Sequence, residues 1–156
     1  MVVIELEYEI NQKIEICFDL SRSIDVHLAS TDGTRERAVS GVTSGLIGMG
    51  ETVTWSAIHF GIRQKLTSKI TEYQRPVKFS DTMQKGAFKS FHHDHYFKEV
   101  NGVTIVKDKI QLEAPFGIIG RLVEKLILKD YMTKFIKKRN LVIKQVAESE
   151  EWKKYI

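Results

Sequence analysis

Ile4, Leu6, Tyr8 and Ile10 alternate with Glu5, Glu7 and Glu9 at the start of the chain. A period of two with one charged face predicts an opening β-strand that buries a single side. The period then changes: Ile14, Cys17, Phe18, Leu20, Ile24 and Leu28 recur at helical spacing. Two short helices are expected there, with Asn11 as a cap and Ser21 as the restart between them. After Asp32-Gly33, residues 36 to 44 read as a weak strand and residues 44 to 50 as a glycine-rich turn. Val53, Trp55 and Ala57, then Leu66, Ser68 and Ile70, alternate with polar residues around Phe60-Gly61, the pattern of a long hairpin. Arg75-Pro76 ends it, and a further strand runs through Val77, Phe79, Asp81 and Met83 to a turn at Lys85-Gly86.

Asn101-Gly102 is a strong hairpin signal, because both positions of a tight two-residue turn need positive φ. A turn there fixes the register: Phe97 faces Val106, His95 faces Asp108, His93 faces Ile110 and Phe91 faces Leu112. These eight side chains share one face. The other face carries His92, Asp94, Tyr96 and Lys98 against Gln111, Lys109, Lys107 and Ile105, with Asp94 across from Lys109. One face is dry and the other wet, as a one-sided antiparallel sheet requires.

From Gly117 to about Glu148 the chain is helical in pattern, but its apolar stripe is broken. Ile119, Leu122, Val123, Leu126 and Ile127 define one face, and Leu128, Tyr131, Met132, Phe135, Val142, Ile143 and Val146 one nearly opposite. The expectation is a short helix, a reorientation at 128 to 130 with Asp130 as N-cap, and a long helix packed on the sheet. Strand, two short helices, a run of strands and a long terminal helix make an α+β plan: a curved antiparallel sheet of about seven strands wrapped around the C-terminal helix. Such a wrap leaves a cavity.

Composition narrows the picture. With 156 residues, 42% hydrophobic and 28% charged, the chain fits one globular domain over 1–156 and excludes disordered and fibrous classes. A net charge of +4 is too small to point to nucleic acid. Cys17 is the only cysteine, so no internal disulfide or Cys-based zinc site can form, and a reducing cytoplasm is the expected location. The N-terminus lacks the pattern of a signal peptide, and no apolar run reaches the roughly eighteen residues of a membrane span. The glycine-rich turn lacks a Lys-Ser/Thr pair and leads into a strand, so it is not read as a phosphate cradle.

The candidate chemistry lies on the dry face of the last hairpin, where His93, His95 and Asp108 need partners if buried. His95 and Asp108, directly opposite, are expected to be hydrogen-bonded. With His93 they could form a two-histidine, one-carboxylate metal set, but a satisfied polar cluster in a cavity wall is preferred, and no metal or cofactor is assigned. General acid/base use of the His95 and Asp108 pair is the alternative chemistry.

The same residues carry a resemblance. Phe79-x-Asp81, Gly86-Ala-Phe88, Phe91-x-His93-x-His95-x-Phe97, Asp108 and Pro115-x-Gly117-x-x-Gly120 are similar to a signature of the START-like SRPBCC superfamily, in particular its bacterial ligand-binding, cell-division-inhibitor-like subgroup. Phe18-Asp-Leu, Glu51-x-Val53-x-Trp55, Phe60-Gly61, Ile70-Thr-Glu72 and Phe135-x-x-x-Arg139 extend it over nearly the whole chain. The resemblance implies a helix-grip fold, as in birch-pollen allergen, and a small hydrophobic or amphipathic ligand of lipid, polyketide or aromatic type held between sheet and helix. The binding set expected is Phe91, His93, His95, Phe97, Val106, Asp108 and Ile110 from the hairpin, with Trp55, Phe79 and Met83 from other strands. Tyr131, Phe135 and Arg139 join them from the helix, Arg139 either as a surface residue or facing an anionic ligand head. The rival functions are a cyclase- or hydrolase-type enzyme and a protein-interaction module with a vestigial pocket.

Eight basic residues stand between Arg121 and Lys144 against Glu124 and Asp130. Lys134, Lys137, Lys138 and Lys144 fall opposite the apolar stripe, as a solvated face or as a site of transient membrane contact. No partner beyond the ligand is assigned, and the oligomeric state is open.

Overall fold

The computed structural model describes all 156 residues. The chain runs β1 (Val2–Ile10), α1 (Ile14–Ser21), α2 (Ile24–Ser30), β2 (Arg37–Gly41), β3 (Thr52–His59), β4 (Ile62–Gln74), β5 (Lys78–Lys85), β6 (Ser90–Val100) and β7 (Val103–Glu113). A C-terminal helix follows in three pieces: α3 (Gly117–Val123), a π-helical turn (Glu124–Leu128) and α4 (Lys129–Ala147). All seven strands form one antiparallel sheet in the order β1-β7-β6-β5-β4-β3-β2. The architecture is α+β, a curved sheet gripping the long C-terminal helix.

The β6–β7 hairpin has the register that Asn101-Gly102 dictates, with Phe91 opposite Leu112, His93 opposite Ile110 and His95 opposite Asp108. Both turn residues are left-handed, at φ 51° and 79°. Asp94 stands across from Lys109 in the ladder, yet its ionic partner lies on the other side. Ser80, paired with it on β5, donates to it at 2.6 Å, and Lys78 Nζ is 3.5 Å away.

Three local expectations are corrected. Asn11 does not cap α1; the free amide of Ile14 is met instead by Glu99 Oε2 of β6 at 2.9 Å, a cap supplied across the fold. The restart residue is Ser23, whose hydroxyl accepts from Val26 N–H, whereas Ser21 ends α1 by donating to Cys17 O. The C-terminal helix does not break at 128. A π turn accommodates the change of phase inside a continuous helix, and Asp130 lies within α4, paired with Lys134 at 2.8 Å.

The basic face expected on α4 is largely paired: Lys138 meets Asp32 at 3.2 Å and Lys144 meets Glu148 at 2.7 Å. In the glycine-rich turn, Gly45 N–H donates to Asp25, Gly48 N–H to Glu51 and Gly50 N–H to Ile70 O, so its amides brace α2 and β4. No helix is long and apolar enough to cross a membrane.

The core is divided. One apolar cluster of sixteen buried residues includes Phe18, Phe79, Phe97, Val106 and Ile143; a second of nine includes Ile4, Phe91, Ile110, Met132 and Ile136. Four elements pass from one cluster to the other through polar positions. Phe79, Asp81 and Met83 do so on β5; Phe97, His95, His93 and Phe91 on β6; Val106, Asp108 and Ile110 on β7; Ile143, Asn140, Arg139 and Ile136 on α4. The result is a polar belt across the middle of the grip.

Candidate ligand-binding cavity

Period-two alternation on β5, β6 and β7 aims Asp81, His93, His95 and Asp108 at the helix, and α4 lowers Arg139 and Asn140 onto them. His93 Nε2 is 2.7 Å from Asp108 Oδ1, and His95 Nε2 is 2.9 Å from Asp81 Oδ2. The expected His95 and Asp108 pair is present, with His95 Nδ1 3.2 Å from Asp108 Oδ1, but each of the two groups has a second partner. The two shortest bonds run diagonally across the ladder, since Asp108 stands opposite His95 and Asp81 opposite His93. Asn140 Nδ2 donates to Asp108 Oδ2 at 2.6 Å, and Ser68 Oγ donates to Asp81 Oδ1 at 3.0 Å.

These contacts set the protonation states. Burial disfavours charge on His95, but the Asp108 and Asp81 carboxylates on its two nitrogens outweigh burial and hold its pKa above the ordinary imidazole value. His93 goes the other way: burial first, and the positive charge of His95 next, push it down to about 4. Near neutral pH, His93 is a neutral ring donating from Nε2 to Asp108, with a lone pair on Nδ1; Asp81 Oδ2 lies 4.0 Å from that atom. Burial raises both aspartates, yet the histidines overcome it and leave Asp81 and Asp108 far below the usual carboxylate range.

A cavity of about 200 Å³ opens between this belt, the inner sheet face and the helices. Of the residues expected to bind ligand, Trp55, Phe79, Phe91, His93, His95, Tyr131, Phe135 and Arg139 line it. Phe97, Val106, Ile110, Met83 and Asp108 do not. The first three are packed into the two apolar clusters, Met83 sits at the edge of the second, and Asp108 lies behind the imidazoles. Asp81 takes the wall position that Asp108 was expected to hold, keeping 21% of its side chain accessible where it borders the space.

Arg139 is 6% exposed, so the stem does not carry its charge to solvent. Its Nη2 makes one long bond of 3.4 Å to Ser21 O, its Nε is buried with no partner, and the side chain makes no salt bridge within 4.0 Å. An unmet donor on a buried cation is costly, and here it belongs to a cavity wall.

A second polar group, for which the chain shows no local sequence sign, lines the space where α2, β3 and α4 meet. His27 stacks on Trp55 at 4.0 Å and its Nε2 is 3.2 Å from Glu36 Oε2, while His59 Nδ1 is 2.6 Å from the Tyr131 hydroxyl. Burial works against the Glu36 carboxylate, but His27 outweighs it and keeps its pKa below the ordinary value; burial lowers that of His59.

One donor atom each from Asp81, His93 and His95 lies within 4.8 Å of the others, close enough for a single divalent ion to touch all three. The carboxylate of that set is Asp81, where the sequence suggested Asp108. Binding there would have to displace the proton shared by His95 and Asp81.

A one-sided antiparallel sheet closed around a terminal helix, with a part-polar cavity between them, defines a helix-grip protein. No protein-family model and no curated protein matches the sequence. Solved structures match over nearly the whole chain. The crystal structure of TTHA0849 from Thermus thermophilus is 15% identical with a TM-score of 0.73, covering 95% of this chain and 100% of that one. Ginseng major latex-like protein 151 from Panax ginseng is 13% identical with a TM-score of 0.70, covering 95% and 98%. A START superfamily protein from Mycobacterium smegmatis is 7% identical with a TM-score of 0.70, covering 94% and 97%. At these identities the likeness shows a shared fold, the curved antiparallel sheet gripping a C-terminal helix.

Proposed function

We propose that the protein binds a small hydrophobic or amphipathic molecule in the cavity, with the ligand's polar head at Arg139 and the belt and its apolar body along Phe79, Phe91 and Phe135. The observation that carries this reading is the buried Nε of Arg139, a cationic donor without an acceptor on the wall of an otherwise mostly apolar space. Asp81 and Asp108 are already engaged by the histidines and Asn140, so the unmet demand is for an acceptor, such as a carboxylate, enolate or carbonyl oxygen. An apolar cavity of about 150 Å³ already holds a benzene-sized molecule, so about 200 Å³ suits an aromatic acid or a short acyl chain.

Native mass spectrometry of freshly purified protein, with extraction of whatever leaves on denaturation, tests the reading. A defined organic anion is expected from the wild type and its loss from Arg139→Met with an unchanged far-ultraviolet spectrum. Empty protein that gains no thermal stability from a panel of fatty and aromatic acids would overturn it.

A second reading has one observation in its favour. Two imidazoles with pKa values displaced in opposite directions, His93 down and His95 up, stand with ring centroids 3.8 Å apart on the same wall. A cyclase- or hydrolase-type reaction would use His93 as base through Nδ1, with Asp108 orienting it from behind, and would pass the His95 proton to the substrate by way of the Asp81 carboxylate that borders the cavity. A bell-shaped rate profile abolished by His95→Ala would move the protein into that class.

A further inference from the structure

Helix α3 and the π turn are amphipathic with the apolar side turned outward. Ile118, Ile119, Leu122, Val123, Leu126 and Ile127 are all exposed, from 41% to 83%, and Phe116 before them is 82% exposed. The line facing the protein is Gly120, Glu124 and Leu128. This rotation is held firmly. Glu124 accepts the Ala114 N–H at 2.6 Å and the Met1 amino group at 3.1 Å, and Gly120 sits so close to Pro115 that a Cβ would come within 2.0 Å of its carbonyl oxygen. Turning the helix to bury its aliphatic side would break both contacts.

The cations of this segment are also unusual. Arg121, Lys125 and Lys129 are exposed, recur every four residues along one flank of the apolar ridge, and make no salt bridge, whereas Lys134, Lys138 and Lys144 on α4 are paired. Glu124 is the only acidic residue from 116 to 129, and it is buried. The surface combines aliphatic bulk with unneutralised positive charge, and the same helix walls the cavity on its other side through Leu128.

We propose that α3 and the π turn dock on an anionic lipid bilayer, with Ile119, Leu122 and Leu126 at the acyl boundary and Arg121, Lys125 and Lys129 at the headgroup phosphates. An amphipathic helix lying in the interface plane has this division of residues. A symmetric pairing with a second copy would bring six cations to one interface with no exposed carboxylate from residues 116 to 129 to neutralise them, so charge favours an anionic surface over self-association. The docked segment ends at the cavity, which it borders through Leu128. The proposal goes beyond ligand binding and does not depend on what the cavity holds.

The test is flotation of the purified protein with vesicles of phosphatidylcholine alone and of phosphatidylcholine with about a third phosphatidylglycerol. The wild type is expected to float with the anionic vesicles about tenfold more strongly, and less so at high salt. Leu122→Ser with Leu126→Ser should cut binding by about tenfold or more. Arg121→Gln, Lys125→Gln and Lys129→Gln should each cost about fivefold. Lys134→Gln with Lys137→Gln, a larger change of charge on α4 beyond the C-terminal end of the ridge, should leave binding within about twofold. Wild type that stays unbound with both vesicles, variants that bind as the wild type does, or a dimer in sedimentation that the Leu122 and Leu126 substitutions convert to monomer would each overturn the proposal.

Discussion

In the middle of the grip, His93, His95, Asp108 and Arg139 are at most 6% exposed, while along α3 and the π turn six aliphatic side chains are more than 40% exposed. The first region puts charge where apolar residues belong, and the second puts apolar residues where charge belongs. They differ in how their demands are met. In the belt, two carboxylates stand against His95, His93 and the Arg139 guanidinium, and the buried cationic donor left unmet is Arg139 Nε, which borders a cavity. On the ridge nothing within the chain covers the aliphatic surface, although Ala114 and Met1 fix the helix with that surface outward. A region satisfied from within answers for stability, and a region left unsatisfied answers for binding. The structure holds one of each and a small example of the second inside the first.

The largest effect should come from removing the acceptor at the centre of the belt. Asp108→Ala strands the His93 donor, the Asn140 amide and the His95 charge together, and urea unfolding should show a loss of about 3–5 kcal/mol. A loss no larger than that of a surface substitution would mean that the belt is not satisfied from within.

Acid should reveal the same region more gently. His93 is held at about 4 when folded and returns to the ordinary imidazole value when unfolded, so the unfolded chain binds the extra proton. Stability should fall as pH drops from about 6.5 towards about 4, by up to about 1.4 kcal/mol per pH unit. Below that window the depressed aspartates add a second loss as they protonate. His95 has the opposite sign: its raised pKa contributes below the ordinary imidazole range, and that contribution is lost as pH rises through the folded value. Thermal melts of wild type and His93→Asn across this range check the assignment, and the variant should lose the first slope.

Gly120→Ala tests what holds the ridge in place. The added methyl group meets Pro115 O, and a cost of about 1–3 kcal/mol is expected in the same unfolding assay. Leu122→Ser with Leu126→Ser should be the mildest of all, within about 0.5 kcal/mol per site, because neither side chain is packed. A large loss there would mean the ridge is part of the core and not a surface.

Much of this was legible in the chain where the signal was local. The β6–β7 register followed from Asn101-Gly102 alone, and with it the face shared by His93, His95 and Asp108. The partners within that face were legible only in part: His95 beside Asp108 followed from the register, the second partner of each did not. Asp81 shares the period of Phe79 and Met83, yet that it takes the ring of His95 depends on β5 lying against β6. Met83, Phe97, Val106 and Ile110 had the right alternation for a cavity wall and instead fill the two clusters, because alternation gives the side of a sheet and not the depth along it. The cap of α1 came from Glu99, far away in sequence, where the nearby Asn11 was the local candidate.

Periodicity and turn chemistry, which act between neighbours in the chain, were enough to set the order and type of the elements, the one-sided sheet and the long terminal helix. Three features needed the folded molecule: the helix continues through a π turn, its first part shows an aliphatic face to solvent, and Arg139 is buried with a donor unmet. All three have one cause. Periodicity marks which residues share a face, but what that face meets is set by segments that come together only on folding. Glu124 and Ala114 turned the aliphatic side of α3 outward, and the closing of the sheet around α4 put Arg139 at the cavity.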